Sequence, residues 1–172
     1  MIYPSGTPTQ PEIIVIALSK LELKTSDVFA DIGCGSGSVS ICASGQVQKV
    51  YAIDKRDEAI SAAQENILES GVTNIELLKG DACDLISGID IDCAFVGGSA
   101  NIETILEILI RKTQRFVVSA VRIETVSEAL KIIKQKKRFK ELLQVHIARG
   151  HELAGGTMFQ PENPVFLIVG GK

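Results

Sequence analysis

The chain alternates between short apolar runs and longer stretches in which apolar residues recur every three or four positions. The continuous runs are typical of strands buried on both faces of a sheet, and they are DVFADIG, KVYAID, NIELLKGDA, IDCAFVGG and RFVVSAV. The periodic stretches predict amphipathic helices, namely SVSICAS, RDEAISAAQENILESG, IETILEILIRK and ETVSEALKIIKQKK. An earlier helix is predicted to begin at Thr9, which has capping-box spacing to Glu12, with Pro11 in the first turn.

The last part of the chain has a different pattern. KELLQVHIA and PVFLIVG are predicted strands joined by a glycine-rich connection without an obvious helix, so the final strand should be antiparallel. The preceding strands are separated by helices and should therefore be parallel, with helices on both faces. We predict a single α/β domain over residues 1–172, with a doubly wound, mostly parallel seven-stranded sheet and an antiparallel last strand.

Composition narrows the class of protein. Of 172 residues, 45% are hydrophobic and 23% are charged, and the net charge is -3, which gives no overall attraction to nucleic acid or an anionic membrane. The start MIYPSGTPTQ lacks the pattern of a signal peptide, and no apolar run is long enough to span a bilayer, so we expect a cytoplasmic protein. No metal-ligand spacing connects the cysteines, which we interpret as reduced core thiols: Cys34, Cys42, Cys83 and Cys93.

A glycine-rich turn after the first strand is the main candidate for ligand binding. Gly33, Gly35 and Gly37 stand at alternate positions, and Ser38 occupies the place of the third glycine of a dinucleotide fingerprint. Asp31 lies two residues before the first glycine, where a carboxylate is poorly placed for a pyrophosphate but suits a cationic amino-acid end. The turn therefore favours a nucleoside-like ligand other than a dinucleotide.

This pattern resembles the acid-x-Gly-x-Gly-x-Gly signature of class I S-adenosyl-L-methionine (SAM) methyltransferases, with a Rossmann-like fold. The resemblance implies that Cys34 and Ser36 of the turn contact the cofactor together with Asp31 and the glycines. Asp54, at the end of the second strand, would bind the ribose hydroxyls, and Asp81 and Ala82 would read the adenine edge. The alternatives are that Asp54 is a solvated acid and that Asp81 caps a helix before a short turn.

After the fourth strand stands Val96-Gly97-Gly98-Ser99, where amine methyltransferases often carry Asp/Asn-Pro-Pro-aromatic. This difference argues against amine methylation of that type. Two adjacent glycines leave room for a bulky, flat substrate, although they are also typical of a simple turn.

The chain most closely resembles the decarboxylating C-15 methyltransferases of cobalamin biosynthesis, which act on cobalt-precorrin-6B. The shared motifs are SGTPTQPE, DIGCGSG, VYAIDK, GDA, VGGS and IARGHELAGGTMFQPENPVFLI. The resemblance implies a tetrapyrrole substrate, SAM as cofactor, a cofactor contact by Thr9, and a homotetramer. It also implies that residues 1–22 lie over the cofactor site and that residues 139–172 form a hairpin and substrate-side loop.

The same resemblance implies that the macrocycle itself is the nucleophile and electron sink, which fits a sequence without an evident catalytic dyad. Substrate-side candidates are Gly97, Gly98, Arg122, Arg149 and His151. Arg149 and Arg122 are predicted to close strands and to bind substrate carboxylates through their planar guanidinium groups. The alternative is that either arginine pairs with a nearby acid, such as Glu124 or Glu152, as ordinary surface charge. His146 alternates with apolar residues and is interpreted as structural. Many relatives have Glu-Val-Arg near the start, whereas here Ile13 and Ile14 follow Glu12.

Two other functions stay open at this point. An RNA or protein methyltransferase is suggested by KIIKQKKRFK, residues 131–140, in which six cations can hold phosphates. The preferred interpretation of this segment is a solvated helix end whose cations suit the C-terminal dipole. A non-catalytic SAM-binding regulator is the second. We expect neither a membrane nor nucleic acid as partner.

Overall fold

The computed structural model describes residues 1–4, 8–98 and 100–172. In these residues six helices are found: α1 (Pro11–Leu21), α2 (Ser38–Ser44), α3 (Asp57–Ser70), α4 (Ala82–Gly88), α5 (Ile102–Lys112) and α6 (Ile123–Gln135). The first five strands are β1 (Val28–Ile32), β2 (Lys49–Asp54), β3 (Ile75–Lys79), β4 (Cys93–Val96) and β5 (Arg115–Ala120). The remaining four are β6 (Phe139–Val145), β7 (Ala148–Leu153), β8 (Gly156–Pro161) and β9 (Val165–Gly171).

Seven strands form one sheet in the order β3-β2-β1-β4-β5-β9-β6. The first five strands are parallel, and Ile32 of β1 pairs with Ile53 on one side and Val96 on the other. β9 runs antiparallel to both β5 and β6. The predicted α/β fold is therefore confirmed. The strand order reverses between β1 and β4, which is where ligands bind in open α/β sheets.

The core lies on both faces of this sheet because successive strand residues point to opposite sides. In β5, Phe116 and Val118 pack in the layer of α5 and α6, whereas Val117 packs with α1 on the other face. Gly170 of β9 lies against the ring of Phe116, and a Cβ there would overlap the ring. This alternation of wholly buried side chains explains why the parallel strands are so apolar in sequence.

Two elements were not predicted from the sequence. The short helix α4 follows Asp81, and Lys112 Nζ donates to three carbonyls around its C-terminus, those of Ile86, Ser87 and Ile89, at 2.7–2.9 Å. The glycine-rich connection contains the β7–β8 hairpin, in which every residue is exposed. Its two-residue turn is Ala154-Gly155, both with positive φ. Alanine is a rare first residue of such a turn, so the hairpin signal in the sequence is weak.

The predicted capping box of α1 is wrong. The helix begins at Pro11, and its N-cap is Gln10, whose side chain makes no capping hydrogen bond. Glu12 does not reach back to Thr9, because its carboxylate binds Arg149 instead. Pro11 does occupy the first turn, as predicted.

Candidate cofactor and substrate cleft

A cleft of about 970 Å³ opens at the carboxyl ends of the parallel strands, next to the point where the strand order reverses. Its lining includes most of the residues singled out in the sequence: Thr9, Gly33, Cys34, Gly35, Ser36, Asp54, Asp81, Ala82, Gly97, Gly98 and Arg122. The volume is at the upper end of the range for small-molecule sites, which leaves room for more than one ligand.

The glycine turn is held by the neighbouring strand. The N–H groups of Gly33 and Cys34 both donate to the carbonyl of Ile53, at 2.8 and 2.9 Å. Gly33 has a φ of 76°, and a Cβ on it would lie 2.9 Å from the nitrogen of Gly98. A side chain at position 33 is therefore excluded both by the left-handed backbone and by the second glycine loop.

The Gly97-Gly98 pair packs directly on this turn. A Cβ on Gly97 would lie 3.2 Å from the Phe95 ring and 3.3 Å from the carbonyl oxygen of Gly33. The pair therefore permits close backbone contact between the exits of β1 and β4, in addition to lining the cleft. Ser99, the last residue of the VGGS motif, lies outside the described residues.

Asp54 is buried at the end of β2, and its carboxylate makes four hydrogen bonds. Oδ1 accepts from the backbone and Nε of Arg56, and Oδ2 accepts from Nη2 of Arg56 and from the N–H of Gly35, all at 3.1 Å. Burial acts to raise the pKa of Asp54, but these bonds outweigh it and leave the pKa below its usual value. The interpretation of Asp54 as a solvated acid is therefore wrong.

Asp31 is fully buried and does not line the cleft. Its Oδ2 accepts from the Ser40 hydroxyl at 2.6 Å, while Oδ1 has no hydrogen-bond partner. Burial raises the pKa of Asp31 to about 7, although the Ser40 hydrogen bond acts in the opposite direction. The prediction that Asp31 contacts the cofactor directly is not supported by this position, and a neutral carboxyl group is favoured below pH 7.

The alternative interpretation of Asp81 as a helix cap is confirmed, and its contact with adenine stays a prediction. Asp81 is the N-cap of α4 and accepts a hydrogen bond from the N–H of Cys83 at 2.9 Å, and it also lines the cleft next to Ala82. The N–H of Ala82 lies in the first turn of α4, where backbone donors lack helical partners.

The two arginines proposed for the substrate have different surroundings. Arg122 is the exposed N-cap of α6, lines the cleft, and has no side-chain partner in the part of the chain that the structure describes. Arg149 is the second residue of β7 and lies outside the cleft. Its guanidinium binds Glu12 through two bonds of 2.9 and 3.0 Å and Glu162 at 2.7 Å. The predictions that Arg149 closes β6 and faces the cleft are therefore wrong.

Three other expectations also change. His151 lies in the exposed hairpin and does not line the cleft. His146 is exposed and follows β6 instead of lying within the predicted strand, so its interpretation as a structural residue stays a prediction. Gly37, with a φ of 76°, is the N-cap of α2 and packs on Ala63 instead of lining the cleft.

Several residues that line the cleft were not predicted from the sequence. Lys55 and Arg56 follow Asp54 directly, and their position after a strand end was the available signal. Asn101 lines the cleft in a left-handed conformation, with a φ of 55°, a conformation that asparagine tolerates better than most residues. Glu162 and Asn163 come from the connection between β8 and β9, and no local pattern in the sequence indicated them.

The cleft offers no activated thiol. Burial raises the pKa of Cys34, the cysteine next to Gly33, so that it stays protonated. All four cysteines are free, but Cys42 is exposed and Cys83 is only half-buried, so the prediction of core thiols is confirmed only for Cys34 and Cys93.

Among the described residues there is no group of His, Cys, Asp and Glu arranged for a metal ion. No helix in the described ranges is long and apolar enough to cross a membrane.

Comparison with known proteins identifies the family. A family model described as a precorrin methyltransferase domain matches residues 3–171. The chain belongs to the precorrin methyltransferase family. It is 49% identical to a probable cobalt-precorrin-6B C(15)-methyltransferase (decarboxylating) of Methanosarcina acetivorans, with 100% of this chain and 97% of the relative covered. The family prediction made from the sequence motifs is therefore confirmed.

Solved structures of precorrin enzymes have the same fold. The structure of a precorrin-8W decarboxylase from Methanobacterium thermoautotrophicum is 35% identical, has a TM-score of 0.92, and is covered over 100% of both chains. A precorrin-6y C5,15-methyltransferase from Geobacter metallireducens is 28% identical with a TM-score of 0.93, covering 99% of this chain and 94% of that chain. This precorrin methyltransferase domain therefore has the same architecture as these enzymes throughout its length.

Proposed function

We propose that this protein transfers a methyl group from SAM to C-15 of cobalt-precorrin-6B and decarboxylates the acetate side chain of the neighbouring ring, which loses its carboxyl carbon as carbon dioxide. The observation that carries the proposal is the single cleft that brings the glycine turn and Asp54 together with Gly97, Gly98 and Arg122. The names of the relatives support the substrate and the decarboxylation. The proposed reaction is a step of the anaerobic branch of cobalamin biosynthesis.

Several features of the cleft support SAM as its ligand. Asp54 is an ionised acceptor for the ribose hydroxyls, and the first turn of α4 after Asp81 offers the Ala82 N–H to the adenine. The glycine turn allows the backbone to lie against the methionine part of the cofactor. Thr9 and Pro8 line the same cleft, so residues 1–22 would close one side of the cofactor site. When bound, SAM supplies an electrophilic methyl group.

The protein's own residues would position and polarise the substrate. The macrocycle carries carboxylates, and Arg122, Lys55 and Arg56 place positive charge on the cleft of a protein whose net charge is -3. Methyl transfer would form a bond to C-15 and break the methyl carbon–sulfur bond, leaving S-adenosylhomocysteine. Cleavage of the C–C bond to the acetate carboxyl group would leave its electron pair in the conjugated ring. A proton then replaces carbon dioxide on the side-chain carbon. Neither histidine lines the cleft, so we assign no histidine to this proton transfer.

The exposed apolar residues of the C-terminal region support self-association, for which the resemblance implies a homotetramer. An isolated two-stranded hairpin is marginally stable in water, yet β7–β8 carries exposed apolar side chains: Leu153, Met158 and Phe159, the last 72% exposed. We propose that these side chains pack against further copies of the chain, which would bury them. Residues 139–172 would then contribute to assembly through the hairpin and to the cleft through Glu162 and Asn163.

The RNA methyltransferase alternative has less support. The basic segment 131–140 lies at the C-terminal end of α6, whereas the cleft lies at its first residues. Thr125 is the last residue of α6 that lines the cleft, and the basic segment begins six residues later, about 9 Å along the helix axis. Lys134 lies over the ring of Phe139, and Arg138 donates to the carbonyl of Thr113, so part of the cluster has a structural role.

Incubation with SAM and cobalt-precorrin-6B, followed by mass spectrometry of the tetrapyrrole, tests the proposal. We expect the gain of one methyl group together with the loss of carbon dioxide. Methylation of bulk tRNA with an unchanged tetrapyrrole would favour the RNA alternative. Tight SAM binding with no transfer to any corrinoid precursor would favour the regulator.

A further inference from the structure

The first residues of the chain contact the glycine turn through one buried side chain. Asn66 of α3 is 2% exposed, and all of its polar atoms have partners. Its Oδ1 accepts from the N–H of Ile2 at 2.7 Å, and its Nδ2 donates to the carbonyl of Ile2 at 2.8 Å. The same Nδ2 donates to the carbonyl of Ser36, in the glycine turn, at 2.9 Å. Asn66 therefore joins two segments that are 34 residues apart in sequence.

The segment held in this way, residues 1–4, forms part of the cleft. We name residues 1–4 the N-terminal strap. Pro4 lines the cleft together with Ser36 and Ser38. The Ser38 hydroxyl, itself 2.7 Å from the Ser36 hydroxyl, also contacts the sulfur of Met1 at 3.4 Å. The strap thus lies against the turn that would hold the methionine part of SAM.

Hydrophobic packing contributes little to the position of the strap. Met1, Ile2 and Tyr3 are 54%, 49% and 54% exposed. Since about half of each side chain stays in water, the strap gains little free energy from burial. The Met1 ammonium group also lies 3.8 Å from the exposed carboxylate of Glu69, but an ion pair at this distance in water contributes little. The position of the strap therefore depends mainly on the paired hydrogen bonds between Ile2 and Asn66, which are shielded from water because Asn66 is buried.

We infer that Asn66 is a positioning residue that clasps the N-terminal strap against the glycine turn and thereby slows release of the cofactor. The inference rests on the proposed function, because it takes SAM and its product S-adenosylhomocysteine as the ligands of the cleft. Opening of the strap would break the two Ile2 bonds and leave the Ser36 bond in place. Cofactor binding and strap closure are therefore coupled through one amide group.

Two variants separate the clasp from general stability. Asn66→Asp keeps the shape of the side chain but replaces the Nδ2 donor with an acceptor that faces the carbonyls of Ile2 and Ser36. Ile2→Pro removes the N–H that donates to Asn66 and leaves the Ser36 bond untouched. Gln64→Glu is the control, because it makes the same amide-to-acid change on an exposed residue of the same helix.

The measurement is S-adenosylhomocysteine binding, by calorimetry for affinity and stopped-flow displacement for the release rate, with thermal unfolding in parallel. We expect about tenfold weaker binding for Asn66→Asp. For Ile2→Pro we expect release accelerated about threefold or more, with unchanged association and an unchanged unfolding midpoint. Gln64→Glu should match the wild type. If Asn66→Asp does not fold, Ile2→Pro decides the question.

The proposed role of Asn66 would be wrong if Ile2→Pro released S-adenosylhomocysteine at the wild-type rate and any folded Asn66→Asp protein bound it with wild-type affinity. An equal effect of Gln64→Glu would overturn it as well, since the effect would then come from charge on α3. Wild-type protein that binds no S-adenosylhomocysteine would instead overturn the proposed function.

Discussion

The cleft and the β7–β8 hairpin differ in how their residues are held. At the cleft, the glycine turn is fixed by the Ile53 carbonyl, and Asp54 is buried and bound on both oxygens. In the hairpin, every side chain is exposed, and the strands pair only with each other. The cleft residues are held by contacts within the described part of one chain, whereas the hairpin leaves apolar side chains exposed, and we propose that further copies of the chain cover them. Chemistry and assembly are thus assigned to different parts of the same fold.

The largest effect is expected at Asp54. Asp54→Ala removes an ionised acceptor from the proposed ribose site, and charged hydrogen bonds of this kind make binding roughly tenfold to a hundredfold tighter. We therefore expect S-adenosylhomocysteine affinity, measured by calorimetry, to fall by that factor without unfolding of the domain. Asp57→Ala, three residues later on the surface, should bind normally.

Arg56 provides a second test in the same binding measurement. Arg56 makes three of the four hydrogen bonds to Asp54, so the ribose must compete with its guanidinium for the carboxylate oxygens. Arg56→Gln should leave the affinity unchanged or tighter. An unchanged affinity in Asp54→Ala with a normal melting curve would mean that this carboxylate serves only the turn.

The hairpin provides the next test. Phe159→Glu places a charge in the apolar surface that we assign to contacts between copies. Light scattering coupled to size exclusion should show a smaller assembly than for the wild type, because a charge is poorly tolerated in an apolar contact. The cofactor affinity should change little. Gln160→Glu is the control, because it adds a charge at the neighbouring polar position. Identical assembly masses for Phe159→Glu, Gln160→Glu and the wild type would show that the hairpin is not the interface.

Substitution of Arg122 in the cleft and of Arg149 in the hairpin tests which of the two regions binds the substrate. Arg122→Ala should raise the substrate KM several-fold, since it removes a cation that lines the cleft without a protein partner among the described residues. Arg149→Ala should leave KM nearly unchanged, because its guanidinium is occupied by Glu12 and Glu162. Steady-state kinetics of both variants decide this, and the reverse order would place the substrate on the hairpin side.

A smaller effect is expected from Asp31. Because burial raises the pKa of Asp31 to about 7 in the folded protein, the folded state binds its proton more tightly than the unfolded state. The resulting stabilisation is complete below the ordinary pKa of an aspartate, near 4, and is lost as the pH rises towards 7. Asp31→Asn removes this dependence.

The check is the free energy of unfolding in denaturant between pH 4 and pH 8, without ligand. The variant should gain stability relative to the wild type as the pH rises, whereas Asp84→Asn, on an exposed position of α4, should show no such trend. Parallel curves for Asp31→Asn and the wild type would mean that Asp31 is ionised throughout.

The parts of the fold that follow from burial were predictable. The bounds of β2 and α5 match the predicted segments because each contains residues that must face a core layer. The same holds for the turn glycines, whose spacing reflects a backbone constraint. The exposed hairpin has no such constraint in a single chain, and its Ala154-Gly155 turn lacks the usual asparagine or aspartate.

Long-range charge pairing was the main feature that sequence could not provide. Arg149 and Glu12 are 137 residues apart, and nothing local to either residue indicates the pair. The burial of Asp31 was equally hidden, because an acid at a strand end is usually near solvent. The clasp formed by Asn66 belongs to the same class, since it joins the start of the chain to the third helix.

We propose that one cleft supports both methylation of C-15 and decarboxylation of the neighbouring acetate side chain. The most direct measurement is carbon-13 NMR of the product formed from cobalt-precorrin-6B and SAM labelled in its methyl group. We expect one carbon-13-enriched methyl signal, from a methyl group bonded to the C-15 bridging carbon, and loss of the acetate carboxyl carbon as carbon dioxide. Enrichment at any other carbon, or a labelled product that keeps the acetate after complete methylation, would contradict it.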